Sequence, residues 1–249
     1  MIEKQPSQAK KILCCCEGKP RRELPFASWL LPFLLAFPKN TFLPMLSAIR
    51  QRFLGRDETR VIVVGLDGSG KSTIVHRLKH GRITDSEIIP TVGFNCECVE
   101  YKKMIFSLWD LGGGQEARGF WRLYYQDTQA IIFVVDSSDL RRMDEAREDL
   151  HRMMMEYELW DAPLLVLANK QDEPNAASTR EITEHLQLFA LSNRNWYIID
   201  TRAMHPDIAE ANLYAGLDWL VEVLMMPAAS RQEKAKQDHK KRRAAAQAS

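Results

Sequence analysis

The chain has 249 residues, of which 45% are hydrophobic and 27% are charged, proportions that are ordinary for one folded domain with tails. Its formal net charge of +1 argues against a protein that binds nucleic acid through its overall charge. No run of about 18 apolar residues occurs, so a plain membrane-spanning helix is not expected.

The five cysteines have spacings typical of neither a disulfide framework nor a zinc site. They are Cys14, Cys15, Cys16, Cys96 and Cys98. Because disulfides are rare in the cytosol, this usage favours a reducing, cytosolic setting.

Residues 1–44 form an N-terminal extension that is not expected to fold as a domain. Basic residues surround the triplet Cys14–Cys16, and an apolar stretch at residues 24–37 follows, interrupted by two prolines. One interpretation is a membrane-surface anchor with S-acylated cysteines and inserted apolar side chains. The other is a disordered or mispredicted extension. Position 2 is Ile2 rather than glycine, so N-myristoylation is not expected.

Residues 45–56 are predicted to form an amphipathic helix. Apolar residues recur at helical spacing and form one face, which could pack on the domain or lie on a membrane. They are Met45, Leu46, Ile49, Phe53 and Leu54. Met45 is also a possible true start, which would place residues 1–44 outside the natural protein.

Residues 57–226 alternate between strand-like and helical runs, which predicts an α/β fold. Strands are predicted at Arg60–Leu66, Gly93–Tyr101, Met104–Asp110, Ala130–Asp136, Pro163–Asn169 and Asn195–Asp200. Helices are predicted at Lys71–His80, Arg118–Tyr125, Leu140–Tyr157, Ser178–Gln187 and Ile208–Met225. Repeated βα units indicate a doubly wound, mostly parallel sheet with helices on both faces.

A glycine-rich phosphate-binding loop follows the first strand. The spacing G-x-x-x-x-G-K-S lets backbone N–H groups and a helix N-terminus surround an anion. The predicted nucleotide-binding residues of this loop are Gly65, Leu66, Asp67, Gly68, Ser69, Gly70, Lys71, Ser72 and Thr73. Lys71 is expected to reach the outer phosphates and Ser72 to ligate Mg²⁺.

Two later segments supply further candidates for the phosphate and metal site. Asp110 follows a hydrophobic strand and places a carboxylate near the Mg²⁺. Thr91 is a candidate second hydroxyl ligand of that ion, and Gly113 could bring its backbone N–H close to the terminal phosphate.

The tetrad Asn169-Lys170-Gln171-Asp172 ends another buried strand, at the edge where open α/β sheets bind ligands. Asp172 can accept two hydrogen bonds from guanine, and adenine offers no such pair. Asn169 can bond the purine edge, and the Lys170 stem can cover the ring. GTP is therefore favoured over ATP, and an ATP-handling phosphate-loop enzyme is the disfavoured alternative.

Residues 227–249 carry a run of basic side chains after Pro227. We expect a disordered, solvated tail. The alternative is a segment that binds anionic lipid or nucleic acid. These residues include no C-a-a-X cysteine, so prenylation is not expected.

With these elements in order, residues 57–225 resemble an ADP-ribosylation factor (ARF) or ARF-like small GTPase. The motifs that carry the resemblance are Ile89–Asn95 (IPTVGFN), Trp109–Asp110 (WD), Trp121–Tyr125 (WRLYY), Ala168–Asp172 (ANKQD) and Gly216–Leu220 (GLDWL). The resemblance implies a six-stranded sheet with one antiparallel strand, bound GTP or GDP with Mg²⁺, and a switch between two forms. It also implies an exchange factor, a GTPase-activating protein and effectors.

The resemblance further implies how the switch works. The helix at 45–56 would pack on the domain with GDP and move to the membrane when the strands over 94–109 slide with GTP. Phe94, Trp109 and Tyr124 match the aromatic trio that the family presents to effectors. In the family, the alanine equivalent to Ala203 contacts guanine through its backbone N–H.

One departure from the family affects catalysis. Family members have W-D-x-G-G-Q, and the glutamine orients the attacking water. Here Gly114 takes the place of that glutamine and Gln115 lies one residue late. Because glycine has no group that positions water, hydrolysis is predicted to be slow or negligible unless Gln115 reaches the site, with Lys71 as the other catalytic candidate.

Two functions stay open. The first is a monomeric GTP-dependent switch in vesicle-mediated or intracellular protein transport, cytoplasmic and peripherally bound to an endomembrane such as the Golgi. The second is a GTP-locked adaptor that scarcely hydrolyses.

Overall fold

The computed structural model of the protein describes residues 58–82, 91–192, 194–207 and 211–247. All of these belong to one compact unit, Glu58–Ser249. The predicted extension at 1–44 and the predicted amphipathic helix at 45–56 lie outside the described residues.

Six strands in the described part of the chain form one sheet. They are β1 (Glu58–Val64), β2 (Phe94–Tyr101), β3 (Met104–Leu111), β4 (Ala130–Asp136), β5 (Leu164–Asn169) and β6 (Trp196–Asp200). The order across the sheet is β2-β3-β1-β4-β5-β6. Only the β2–β3 pair is antiparallel among these strands. The predicted six-stranded, mostly parallel sheet is thereby confirmed.

Six α-helices are described, together with four short 3₁₀ segments. The helices are α1 (Lys71–His80), α2 (Gln115–Arg118), α3 (Met143–Met154), α4 (Thr179–His185), α5 (Leu213–Met225) and α6 (Ala228–Gln247). The 3₁₀ segments are Trp121–Tyr124, Leu140–Arg142, Tyr157–Leu159 and Leu188–Ala190.

The sheet has a hydrophobic core on each face. Successive β1 residues point to opposite faces: Val63 packs with Ile74 of α1, whereas Ile62 belongs to the core that contains Leu150 of α3. Both strand residues are fully buried, as expected of a strand covered on both sides. The apolar run at the start of the domain therefore becomes the centre of the fold.

Several predicted helix boundaries shift for local reasons. The helix predicted at 118–125 is two short segments, because α2 ends before Gly119. The helix predicted from Ser178 begins one residue later, because Ser178 is its N-cap and forms a capping box with Glu181. Asn212 has a φ of 56° and precedes α5, which begins at Leu213, and the predicted start at 208 lies outside the described residues.

The basic segment after Pro227 differs from the expectation of a disordered tail, because Ala228–Gln247 is helical. Its composition explains the difference: alanine, lysine, arginine, glutamine and glutamate favour helices, and no glycine or proline interrupts them. The side chain of Asn195 donates to the backbone oxygen of Arg231 over 2.8 Å, and Arg231 also forms an ion pair with Asp161. Nothing among the described helices is both long and apolar enough to cross a membrane.

Candidate functional site

The loop between β1 and α1 is packed too closely for side chains at two of its glycines. Gly65 has a φ of 142°, and a Cβ there would overlap the carbonyl oxygen of Val134 in β4. Gly70 has a φ of 95°, and a Cβ there would overlap the side-chain amide of Asn169. Only glycine fits both the conformation and the space, so the loop stays close to the ends of β4 and β5.

Lys71, the first residue of α1, is bent back over this loop. Its Nζ donates to the carbonyl oxygen of Leu66 over 2.9 Å, and the residue is 5% exposed. Burial lowers the pKa of Lys71 to about 8, against the opposing charges of Asp110 and Asp67. A phosphate beside this ammonium group would supply the counter-charge that stabilises its protonated form.

Ser72, Thr91 and Asp110 come together beside the loop. The Ser72 hydroxyl donates to Asp110 Oδ2 over 2.5 Å, and the Thr91 hydroxyl reaches the same oxygen over 3.1 Å. The two hydroxyl oxygens are 2.8 Å apart. The strand register explains the position of Asp110, because it pairs with Val63 at the carboxyl end of β1.

These three residues fit a Mg²⁺ ion. Asp110 is fully buried, and its Oδ1 has no hydrogen-bond partner in the described structure. Burial raises the pKa of the Asp110 carboxyl, although the Ser72 hydrogen bond and the Lys71 charge oppose this. Mg²⁺ prefers such oxygen ligands, and its charge would favour the ionised carboxylate.

Asn169 joins the phosphate loop to the segment after β6. Its amide Nδ2 donates to the carbonyl oxygen of Ser69 over 2.9 Å. Its Oδ1 accepts from the backbone N–H of Ala203 over 3.1 Å and from the Thr201 hydroxyl over 3.3 Å. The Ala203 N–H was predicted to contact guanine. In the structure it donates to the Asn169 side chain.

The other two members of the tetrad lie further out. Lys170 has a φ of 64°, and its Nζ donates to Asp136 Oδ2 over 2.5 Å. Asp136, at the end of β4, pairs with Asn169, at the end of β5. The ends of these two strands therefore position Lys170. Asp172 is exposed, and its carboxylate is accessible to a base.

Gly113 and its neighbours close the other side of the site. The Asp67 N–H donates to the Gly113 carbonyl over 3.2 Å, and a Cβ on Gly113 would lie 2.5 Å from the Asp67 nitrogen. Gly113, Gly114 and Gln115 line a cleft of about 880 Å³ together with Lys71 of the phosphate loop. Gln115 is exposed at the start of α2.

The three predicted effector-surface aromatics form one cluster. The ring centroids of Phe94 and Trp109 are 5.3 Å apart, and those of Phe94 and Tyr124 are 5.2 Å apart. Phe94 is 45% exposed, whereas Trp109 is 8% exposed and carries the Arg60 guanidinium over its ring. Trp109 therefore contributes to the core, and Phe94 to the surface.

Two arginines at the site were not predicted. Arg77 of α1 is buried and donates to the carbonyl oxygens of Ala203, over 2.6 Å, and of Pro206, over 3.3 Å. Arg77 lies on the buried apolar face of α1, and this position in the sequence could have indicated that it is buried. Arg142 reaches the Asp67 carboxylate over 2.7 Å, and no local pattern in the sequence indicated this contact.

The fold and this site define a small GTPase of the phosphate-loop class. The chain belongs to the ADP-ribosylation factor family, whose pattern it matches over residues 45–224. Among solved structures, it is similar to that of the Arl6 BBS3 small GTPase from Trypanosoma brucei with the bound nucleotide analogue GppNp. The two are 31% identical with a TM-score of 0.61, over 71% of this chain and 99% of that one.

Proposed function

We propose that the protein is a GTP-dependent switch that recruits effectors at membranes in vesicle-mediated or intracellular protein transport. The observation that carries this proposal is the meeting of Ser72, Thr91 and Asp110, which come from three separate segments. A terminal phosphate and Mg²⁺ bound there would hold these segments together, and loss of the phosphate would release them.

Each part of the site has a role in this proposal. The loop from Gly65 to Thr73 holds the phosphates, with Lys71 on the outer ones. Ser72, Thr91 and Asp110 hold Mg²⁺, which in such sites neutralises developing phosphate charge. Asp172 selects guanine, while Asn169 keeps the loops that surround the nucleotide in place.

We further infer that effectors contact the surface around Phe94. Val92 is 97% exposed and Leu123 is 75% exposed, and both lie close in sequence to the aromatic cluster. Exposed apolar side chains of this kind are candidates for protein contacts. Like other family members, the protein would depend on an exchange factor and a GTPase-activating protein. A monomer, cytoplasmic and peripherally bound to an endomembrane such as the Golgi, is consistent with this role.

A second candidate is an adaptor that stays bound to GTP, and Gly114 is the observation that favours it. The nucleotide retained by the purified protein separates the two functions. GDP indicates a cycling switch, and GTP indicates the adaptor. In a single-turnover assay, equally slow hydrolysis by wild type and Gln115→Ala would show that Gln115 does not replace the missing glutamine.

The base specificity is tested by Asp172→Asn. Asparagine keeps one acceptor oxygen but places its NH2 donor against the exocyclic amine of guanine, so GTP affinity is expected to fall about a hundredfold or more. Binding of xanthosine triphosphate should rise, because the asparagine amide can donate to the carbonyl that replaces the exocyclic amine. Competition binding measures both nucleotides, with ATP included.

Glu173→Gln is the matched control, since Glu173 is the exposed acidic neighbour of Asp172 in the same loop. It is expected to bind GTP like the wild type. Unchanged GTP binding by Asp172→Asn would contradict the guanine assignment. Equal binding of ATP and GTP by the wild type would favour an ATP-handling enzyme instead.

A further inference from the structure

A row of alternating charges leads away from the phosphate loop along α3. Asp67 Oδ1 accepts from Arg142 Nη2 over 2.7 Å, and Arg142 Nε donates to Glu145 Oε2 over 2.8 Å. The other oxygen of Glu145 accepts from Arg118, which also donates to Asp149. Glu145 thereby fixes the Arg142 guanidinium at Nε, while Nη2 contacts Asp67 of the phosphate loop.

Asp67 is the member of this row that lines the nucleotide cleft. The hydrogen bond from Arg142 lowers the pKa of Asp67, so its carboxylate is ionised at neutral pH. Its side chain is 56% exposed and that of Arg142 is 33% exposed, so solvent screens both charges and their effect on a bound phosphate is modest. An ionised carboxylate there repels phosphate, and Arg142 offsets the repulsion.

We propose that Arg142 is a positioning residue that sets the preference of the site for nucleoside triphosphate over diphosphate. The triphosphate brings more negative charge to the cleft, so it gains more than the diphosphate from a neutralised Asp67. This inference rests on the proposed guanine-nucleotide binding. It adds a specificity determinant outside the phosphate loop and the metal ligands.

The inference predicts shifts of opposite sign for the two partners. Removing Arg142 leaves an uncompensated carboxylate and shifts the preference towards GDP. Removing Asp67 takes a negative charge out of the cleft while Arg142 stays paired with Glu145, and this shifts the preference towards the triphosphate. Removing both charges restores the balance. A purely structural ion pair would not produce this pattern, because its loss weakens the fold whichever partner is removed.

The experiment measures dissociation constants for GDP and a non-hydrolysable GTP analogue, with Mg²⁺, on the full chain. Arg142→Gln should shift the ratio of the two constants about fivefold towards GDP, the size expected of a partly exposed pair. Asp67→Asn should shift it towards the triphosphate, and the double variant should return close to the wild-type ratio. Arg147→Gln is the matched control, since Arg147 pairs with Asp144 in the same helix, over 2.6 Å.

Equal ratios in Arg142→Gln and Arg147→Gln, or shifts of the same sign in Arg142→Gln and Asp67→Asn, would overturn the inference. If Arg142→Gln does not fold, Asp67→Asn decides alone: a ratio unchanged or shifted towards GDP rejects the proposal. A wild-type protein that binds neither nucleotide would instead reject the proposed function. Thermal melting without nucleotide reports the folding of every variant.

Discussion

Gly114 has a φ of −63° and a ψ of 154°, an extended conformation that any L-amino acid adopts. A Cβ at this position would meet no atom within 4 Å in the described structure. Gly113 is different, because a Cβ there would lie 2.5 Å from the Asp67 nitrogen and from the Gly65 oxygen. The backbone therefore requires glycine at 113 but not at 114. The effect of Gly114 on function comes from the side chain that this position lacks.

Gly114→Gln is accordingly expected to speed GTP hydrolysis. The side chain has open space beside the cleft and no backbone strain to overcome. Positioning of the attacking water is worth several kcal/mol in phosphoryl transfer, so the single-turnover rate should rise about tenfold or more. The measurement is release of phosphate from the preloaded GTP complex. Gly113→Ala is the contrasting variant and should weaken nucleotide binding, because its methyl group overlaps the phosphate loop.

At the scale of elements, α6 is docked through one face. Arg231, Ala235 and His239 recur at the spacing that places side chains on one side of a helix, and none of the three is exposed. Ala235 is 2% exposed, and Lys234 forms an ion pair with Glu222 of α5 over 2.8 Å. Lys236, Lys240 and Lys241 are exposed. The helix thus separates residues that hold it to the domain from residues that face solvent.

Ala235→Glu tests this docking. A carboxylate forced into the contact must be desolvated without a partner, so the helix is expected to detach and fray. Hydrogen exchange of the α6 amides should then accelerate about tenfold or more, while amides of the central strands keep their protection. Ala229→Glu is the control, because Ala229 is exposed in the same helix. Equal exchange in the two variants would contradict the docked position.

At the scale of the whole molecule, the sheet could be predicted because its strands have local signals. Apolar and β-branched runs mark β1 and β4, and glycines with a lysine mark the phosphate loop. The remaining contacts join residues far apart in the chain. Arg142 meets Asp67 75 residues away, and Arg77 meets the Ala203 carbonyl 126 residues away. No local pattern encodes such pairs. The basic charge run after Pro227 was interpreted as a disordered tail, although its composition favours the helix α6.

At the same scale, charge is unevenly distributed over the molecule. Residues 227–249 carry seven lysines and arginines against two acidic residues, whereas the whole chain is +1, so the remainder has a net charge of −4. An anionic membrane would therefore attract this segment and the basic residues around Cys14–Cys16, and repel much of the rest. Any electrostatic binding to lipid must then depend on particular basic residues rather than on net charge.

Lys236, Lys240 and Lys241 are the exposed candidates, and their triple replacement by glutamine should weaken binding to vesicles containing phosphatidylserine. Each basic residue near such a surface contributes about 1 kcal/mol, so the three together should lower the partition coefficient at least about tenfold. Co-sedimentation at low and high salt measures the effect, which salt should diminish. The control replaces Lys102, Lys103 and Arg141, which are also exposed and carry the same total charge. Equal losses in both triple variants would mean that net charge, and not α6, governs the contact.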